Sequence, residues 1–224
     1  MYIEEEKIKV SRLHNILRGS ESLLKTKEIF DEMGINFFLI HGTLLGVYRD
    51  GFLCPHEVPN CSIGDIDVAS FDELRDDQFA KFTEIVEKHG LRVIQISAKD
   101  GNGFRVVGAY IRGTHWYVGI EFWSRLPDNE NVMTYDGLLK CPSKFFDSFK
   151  EINYLGKTFN IPGDTEGFLE HNYGENWKTH CVQAIVDEKR VWVRCDLSGD
   201  IIKPVEVMDT ISGFSKVSHY KAIE

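Results

Sequence analysis

The stretch from His41 to Ser70, HGTLLGVYRDGFLCPHEVPNCSIGDIDVAS, constrains the fold more than any other part of the chain. An apolar run, Phe37-Phe38-Leu39-Ile40, leads into a small-residue turn at Gly42-Thr43. An arginine follows at Arg49, and Asp65-Ile66-Asp67-Val68 then stands at strand periodicity. Alternate residues of a strand share a face, so Asp65 and Asp67 project together while Ile66 and Val68 turn to the core. Two carboxylates side by side repel, and each raises the other's pKa unless a cation lies between them. An oxygen-only pair of this kind suits Mg²⁺ or Mn²⁺, which keep some waters and complete their shell with substrate phosphates. A glycine turn with backbone N–H groups, opening a helix, is the matching phosphate-binding element. Each piece alone is common, since Asp-x-Asp ends ordinary surface strands and Gly-Thr closes many turns. Strand, Gly-Thr, arginine-bearing helix and Asp-x-Asp strand in one order point to metal-assisted phosphoryl or nucleotidyl chemistry.

The same segment resembles the LicD family of the nucleotidyltransferase-fold superfamily, which includes bacterial phosphocholine transferases and the fukutin-related proteins. The likeness rests on Gly42, Thr43, Leu44, Leu45, Gly46, Arg49 and Gly51, then Asp65, Ile66 and Asp67. A second block continues it: Ile161-Pro162 through Phe168-Leu169, Tyr173-Gly174 and Trp177, within IPGDTEGFLEHNYGENW. The two blocks run from about Asn36 to Trp177. There are two departures. The family's Trp-Asp-Asp-Asp type run before the Asp-x-Asp gives way to Gly64, and 23 positions (65 − 42) separate Gly42 from Asp65, so the loop Phe52 to Ser62 reads as an insertion. His180 stands where the family has a proline after the Tyr-Gly-x-x-Trp block.

The resemblance implies an α+β, nucleotidyltransferase-like fold, a mixed β-sheet with flanking helices. It implies residues 1–180 as the catalytic domain, with 181–224 a C-terminal extension packed on the same domain. It also implies a LicD-type phosphotransferase that moves a phospho-choline, phospho-ethanolamine or phospho-alditol group. The donor would be CDP-linked and the acceptor a sugar hydroxyl of a surface-glycan precursor. Asp65 and Asp67 would hold Mg²⁺ (or Mn²⁺) at the donor pyrophosphate, while Gly42 and Thr43 offer N–H and hydroxyl donors to the transferring phosphate. Two rivals share these carboxylates: a nucleotidyltransferase using an NTP on a small molecule or protein, and a non-catalytic ligand-binding module of the same fold.

A third carboxylate is expected, because two-metal phosphoryl chemistry needs a ligand or base beyond the pair. Glu121, in Val118-Gly119-Ile120-Glu121-Phe122-Trp123, sits late in a strand of bulky apolar residues, where an unpaired charge is costly. The resembled family carries an acidic residue, usually aspartate, on the corresponding strand; whether the longer glutamate is metal ligand or base stays open. The competing reading is an edge-strand glutamate facing water. Arg49 is a candidate bidentate clamp for a donor phosphate, against an ion pair with Asp50 or Asp72. Cys54, His56 and Cys61 match no closed zinc spacing. Tyr173 and Trp177 read as core aromatics before base-stacking ones, and His41 as a packed histidine. The loop Phe52 to Ser62, with both ends near the carboxylates, is expected to wall the substrate pocket.

Composition narrows the partners. The net charge of −9 speaks against nucleic acid, which needs clustered Lys and Arg, but not against a nucleotide held by metal. No apolar run is long enough to span a bilayer, and MYIEEEKIKV is too acidic for a signal peptide. Five scattered cysteines fit free thiols in a reducing, cytoplasmic setting.

Periodicity gives the coarse elements. Helices are predicted over Glu21–Met33 (closed by Gly34), Thr43–Tyr48, Asp77–His89 (closed by Gly90) and Glu166–Asn172. Strands are predicted over Asn36–Ile40, Asp65–Ala69, Leu91–Ser97, Phe104–Ile111 and His115–Trp123. A hairpin is expected from Lys150–Tyr154 and Thr158–Ile161 around Gly156-Lys157. Beyond Cys181 only Arg190–Cys195 carries a strand pattern.

Overall fold

The structure is a computed structural model and describes residues 2–53, 64–72, 74, 76–97, 106–111, 116–134, 140–186, 189–194 and 207–208. The loop carrying Cys54, His56 and Cys61, and with it the expected pocket wall, lies outside the described residues apart from Phe52 and Leu53.

The first helix, α1 (Tyr2–Met33), is far longer than its apolar stripe predicts. Its first turns carry Glu4, Glu5, Glu6, Lys7 and Lys9, good helix formers whose acidic members suit the positive end of the helix dipole. Gly34, at φ +68, ends it in a conformation that costs glycine no steric penalty. There follow β1 (Phe38–Leu39), α2 (His41–Asp50), β2 (Gly64–Ser70), α3 (Asp76–Lys88), β3 (Leu91–Ser97), β4 (Val106–Ile111) and β5 (Trp116–Arg125). Two short strands, β6 (Asn131–Thr134) and β7 (Lys140–Pro142), lead to a 3-10 turn at Ser143–Phe146. The chain continues through β8 (Phe149–Tyr154), β9 (Lys157–Pro162) and α4 (Thr165–Tyr173).

The main sheet runs β3-β4-β5-β2-β1-β9-β8, with β6 paired to the end of β5 and β7 to β6. It is mixed: β2 is parallel to β5, and β1 is parallel to β9, while β1–β2, β4–β5, β3–β4 and β8–β9 are antiparallel. This is the α+β mixed sheet with flanking helices that was expected. The predicted five-residue first strand shrinks to two, because the chain turns into α2 already at His41. The β8–β9 hairpin turns on Leu155-Gly156, one residue earlier than predicted. Both have positive φ (49° and 77°), the two-residue geometry whose twist matches the flanking strands.

The core lies on both faces of the sheet. Neighbouring residues of an extended chain point opposite ways, so Phe37 and Phe38 serve two aromatic clusters. Phe37 meets Phe30 of α1 at 4.9 Å between ring centres, and Phe30 meets Phe82 of α3 at 6.2 Å. Phe38 instead meets Phe71 at 5.4 Å and Phe146 at 5.3 Å, and Trp123 packs on Phe146 at 5.5 Å. Ile66, Val68, Val118 and Ile120 are buried in the core cluster.

Beyond α4 the chain forms a second sheet of β10 (Cys181–Val186), β11 (Lys189–Arg194) and β12 (Val207–Met208). Only β11 is legible in the sequence; β10 pairs with it from Cys181↔Arg194 to Val186↔Lys189, and no hairpin dipeptide such as Asn-Gly or Asp-Gly stands between them to announce the pair. No helix among the described residues is long and apolar enough to cross a membrane.

Candidate active site

The junction of β1 and α2 fixes the backbone of Asp67. β1 and β2 pair Phe38 with Ala69 and Leu39 with Val68, so the next rung falls on Ile40 and Asp67. Half of it forms, with the Ile40 N–H donating to the Asp67 carbonyl at 3.3 Å. The Ile40 carbonyl accepts instead from the Leu44 N–H at 3.0 Å, the first bond of α2. The Asp67 N–H therefore turns to the Thr43 hydroxyl, which accepts it at 2.8 Å. Thr43 is only 3% exposed, so water is a poor substitute for that acceptor. Gly42 and Thr43 lie in the first turn of α2, whose N–H groups have no intrahelical acceptors. Its N-cap, Ile40, supplies no side-chain cap either.

The parallel pairing of β2 with β5 collects the acidic residues. Asp65 lies beside Tyr117, Asp67 beside Gly119 and Ala69 beside Glu121. Side-by-side residues share a face, so Asp65, Asp67 and Glu121 all belong to one face of the sheet. Glu121 is then the diagonal neighbour of Asp67, roughly 8 Å away at the Cα by strand geometry. Gly119, directly beside Asp67, places no side chain in that space. The Asp65 side chain lies outside the described residues. β5 is an interior strand between β4 and β2, so the edge-strand reading of Glu121 does not hold.

Both oxygens of Glu121 are engaged. His41 Nε2 lies 3.2 Å from Oε1, and the Trp123 indole N–H donates to Oε2 at 2.8 Å. The Glu121 side chain is 19% exposed. Burial pushes its carboxyl pKa up, but the His41 charge and the hydrogen bonds from His41 and Trp123 outweigh burial and hold it below the ordinary 4.5. A carboxylate so held stays ionised at neutral pH, which suits a cation ligand better than a general base. Among the described residues no three His, Cys, Asp or Glu side chains form a ready metal cage. Mg²⁺ does not require one, since one or two carboxylates, waters and substrate phosphates suffice, and the oxygen-only donor set here fits that pattern.

Arg49 is held at the end of α2 by Asp50 and Trp177. Its Nε and Nη2 donate to the Asp50 carboxylate at 2.9–3.1 Å, and Nη1 donates to the Trp177 carbonyl at 3.1 Å. His180 Nε2 lies 2.7 Å from Asp50 Oδ1, whose side chain is 2% exposed. Of the two acidic partners weighed for Arg49, Asp50 is thus the one it meets, while the Asp72 carboxylate accepts the Asn36 N–H at 2.7 Å. Trp177 is buried against Tyr48, at 6.1 Å between rings, and Tyr173 is partly buried on the core, as core aromatics.

Three residues of this geometry were not singled out as site residues from the sequence: Trp123, Gly119 and His41. Glu121-x-Trp123 alternation puts both side chains on one face, a signal that was readable. Gly119 needs the β2–β5 register. His41 needs a left-handed backbone, φ 47, which no periodicity announces.

Comparison with known proteins agrees with this architecture. No curated protein matches the sequence. Among solved structures, a solution structure of the antibiotic-resistance factor ANT(2'')-Ia, described for its substrate-regulated conformation dynamics, aligns over 72% of this chain and 73% of its own at 14% identity, with a TM-score of 0.39. The family assignment does not rest on that loose likeness. Residues 34–164, more than half of the chain, match a family described as LicD/FKTN/FKRP, nucleotidyltransferase domain. The match takes in β1, α2 with Gly42-Thr43, the Asp65-x-Asp67 strand and Glu121, and the chain is a member of the LicD/FKTN/FKRP nucleotidyltransferase-domain family.

Proposed function

We propose that the chain is a metal-dependent phosphotransferase. It moves a phospho-choline, phospho-ethanolamine or phospho-alditol group from a CDP-linked donor to a sugar hydroxyl of a surface-glycan precursor, in the cytoplasm. The observation that carries this reading is the placement of Asp65, Asp67 and Glu121 on one sheet face, beside the uncapped N-terminus of α2. Asp65 and Asp67, with Glu121 beside them, would hold Mg²⁺ or Mn²⁺, which when bound neutralises charge on the donor phosphates.

The chain's own residues do the rest. The first-turn N–H groups of α2 at Gly42 and Thr43 face an anion favourably. Thr43 pins Asp67 through its backbone and so fixes the point from which its carboxylate projects. Arg49 acts through structure, tying the end of α2 to Trp177 and Asp50. The acceptor hydroxyl oxygen forms a bond to the donor phosphorus bearing the transferred group, the P–O bond to CMP breaks, and the hydroxyl proton passes to solvent. No covalent enzyme intermediate is needed.

Incubation with CDP-choline, CDP-ribitol, CDP-glycerol and each NTP, with Mg²⁺ and glycan acceptors, tests the reading. Release of CMP from a CDP donor is expected; release of pyrophosphate from an NTP would instead mark a nucleotidyltransferase proper, and neither would mark a binding module. Asp67→Asn should lower turnover by several orders of magnitude with the far-UV circular dichroism unchanged. Full activity in Asp67→Asn, or in EDTA, removes the mechanism.

A further inference from the structure

Three non-glycine residues among the described ones have positive φ: His41, Asn129 and Leu155. Asn129 and Leu155 lie in turns between strands, where a left-handed residue is ordinary. His41 is different, because it opens a ten-residue helix at φ 47. A side chain with a Cβ is strained there, and such strain persists only where something else holds the residue. What holds it is visible in its contacts. The imidazole is 27% exposed, and its Nε2 lies 3.2 Å from Glu121 Oε1. An ionised carboxylate has no hydrogen to give, so Nε2 must carry the hydrogen of this bond.

Glu121 needs such restraint. A glutamate has three side-chain torsions and loses more freedom on being fixed than a shorter acid does. The Trp123 indole, from the same strand, restrains Oε2 at 2.8 Å. One donor leaves the carboxylate free to rotate about that bond; a second donor, arriving from α2, fixes both its tilt and its reach. Because α2 also carries Thr43, which binds the Asp67 N–H, a single turn of chain sets two of the acidic residues relative to each other.

We infer that His41 is a positioning residue: its strained backbone aims the imidazole so that, with Trp123, it sets the Glu121 carboxylate beside the Asp65–Asp67 pair. What Glu121 is positioned for rests on the function proposed above; the positioning itself does not.

His41→Gly separates backbone from side chain, since glycine accepts the left-handed conformation while losing the donor. Relief of strain should raise Tm by about 2–4 °C or offset the lost contact. Meanwhile kcat, and Mn²⁺ affinity measured by titration calorimetry, should fall about 10- to 100-fold, as when an outer partner of a metal ligand is removed. The donor KM should change less than kcat. His41→Gln keeps an amide donor and should recover part of both losses. A merely structural histidine predicts the reverse, with activity and Mn²⁺ affinity following stability, so wild-type kcat and Mn²⁺ affinity in His41→Gly overturn the inference. If the wild-type protein turns over no donor and binds no Mn²⁺, the proposed function fails while the inference is still tested by NMR. The ¹⁵N–¹H resonance of the Trp123 indole, assigned with Trp123→Phe, should shift in His41→Gly as the shared carboxylate moves. An unmoved resonance overturns the positioning role.

Discussion

Replacing Thr43 by valine isolates the bond that seats Asp67. Valine keeps the shape and β-branching of threonine but has no acceptor, so the Asp67 N–H, now bonded to Oγ1 at 2.8 Å, loses its partner. An orphaned buried donor costs about 1–3 kcal/mol, and at this chain length each kcal/mol moves Tm by roughly 2–4 °C. With Thr43 at 3% exposure, water relieves little of that, and a fall of roughly 4–8 °C is expected. Thr43→Ser is the control. It deletes one buried methyl, worth about 1 kcal/mol, and keeps the oxygen. Serine should therefore lose roughly 2–4 °C, less than valine, and the gap between the two variants should be far wider in turnover than in stability. A misplacement of about 1 Å at a reacting centre costs on the order of 100-fold, and only valine lets Asp67 drift. Differential scanning calorimetry and steady-state kinetics on the same preparations decide. Equal turnover in the two variants, or wild-type turnover in Thr43→Val, refutes the idea that Thr43 acts through Asp67.

Gly119→Val puts a branched side chain directly beside Asp67 on the carboxylate face; kcat/KM should fall about tenfold or more, and wild-type kinetics would show that the space is unused. Cys141 is buried, and burial, followed by the negative charge of Glu121, pushes its thiol up to about 12. Iodoacetamide at mild alkaline pH should therefore leave Cys141 unlabelled in the folded protein and label it after denaturation, as peptide mass spectrometry can read. For the metal-free protein, the depressed Glu121 pKa contributes stability that is present above the unfolded value near 4.5 and lost as pH falls through the lower folded value. The Tm difference between wild type and Glu121→Gln should accordingly narrow from about pH 5 to pH 3, and a constant difference would show that Glu121 carries no such shift.

The parts of this fold that were legible in the sequence are those governed by local rules. The limits of β3, Leu91–Ser97, follow from alternation and from Gly90 before it, and the α4 block follows from its helical spacing. The pairing of Asp65 with Asp67 on one face is a property of any strand. What stayed hidden depends on partners distant in the chain or on local conformation that leaves no periodic mark. The extension of α1 to Tyr2 rests on propensity where the apolar stripe is weak. The Arg49–Asp50 pair was one of the two readings weighed for Arg49, whereas the bonds from Thr43 to the Asp67 backbone and from Arg49 to the Trp177 carbonyl join residues far apart in the chain, and nothing near them in sequence specifies those bonds. His41 reads in the sequence as a packed histidine, since a left-handed helix start leaves no periodic trace.

The cluster around Asp50 bears on how small a fragment of this protein can stand by itself. The residues that match the family end at 164, yet the Asp50 carboxylate is shared between Arg49 and His180, and Arg49 also donates to Trp177. A fragment ending at residue 164 would keep Arg49 and Asp50 and lose two of the groups bonded to them. Leaving a buried polar group without a hydrogen-bond partner costs about 1–3 kcal/mol, against a total stability of about 5–15 kcal/mol for a typical domain. A fragment that keeps these bonds must run at least to His180, sixteen residues past the end of the family match (180 − 164).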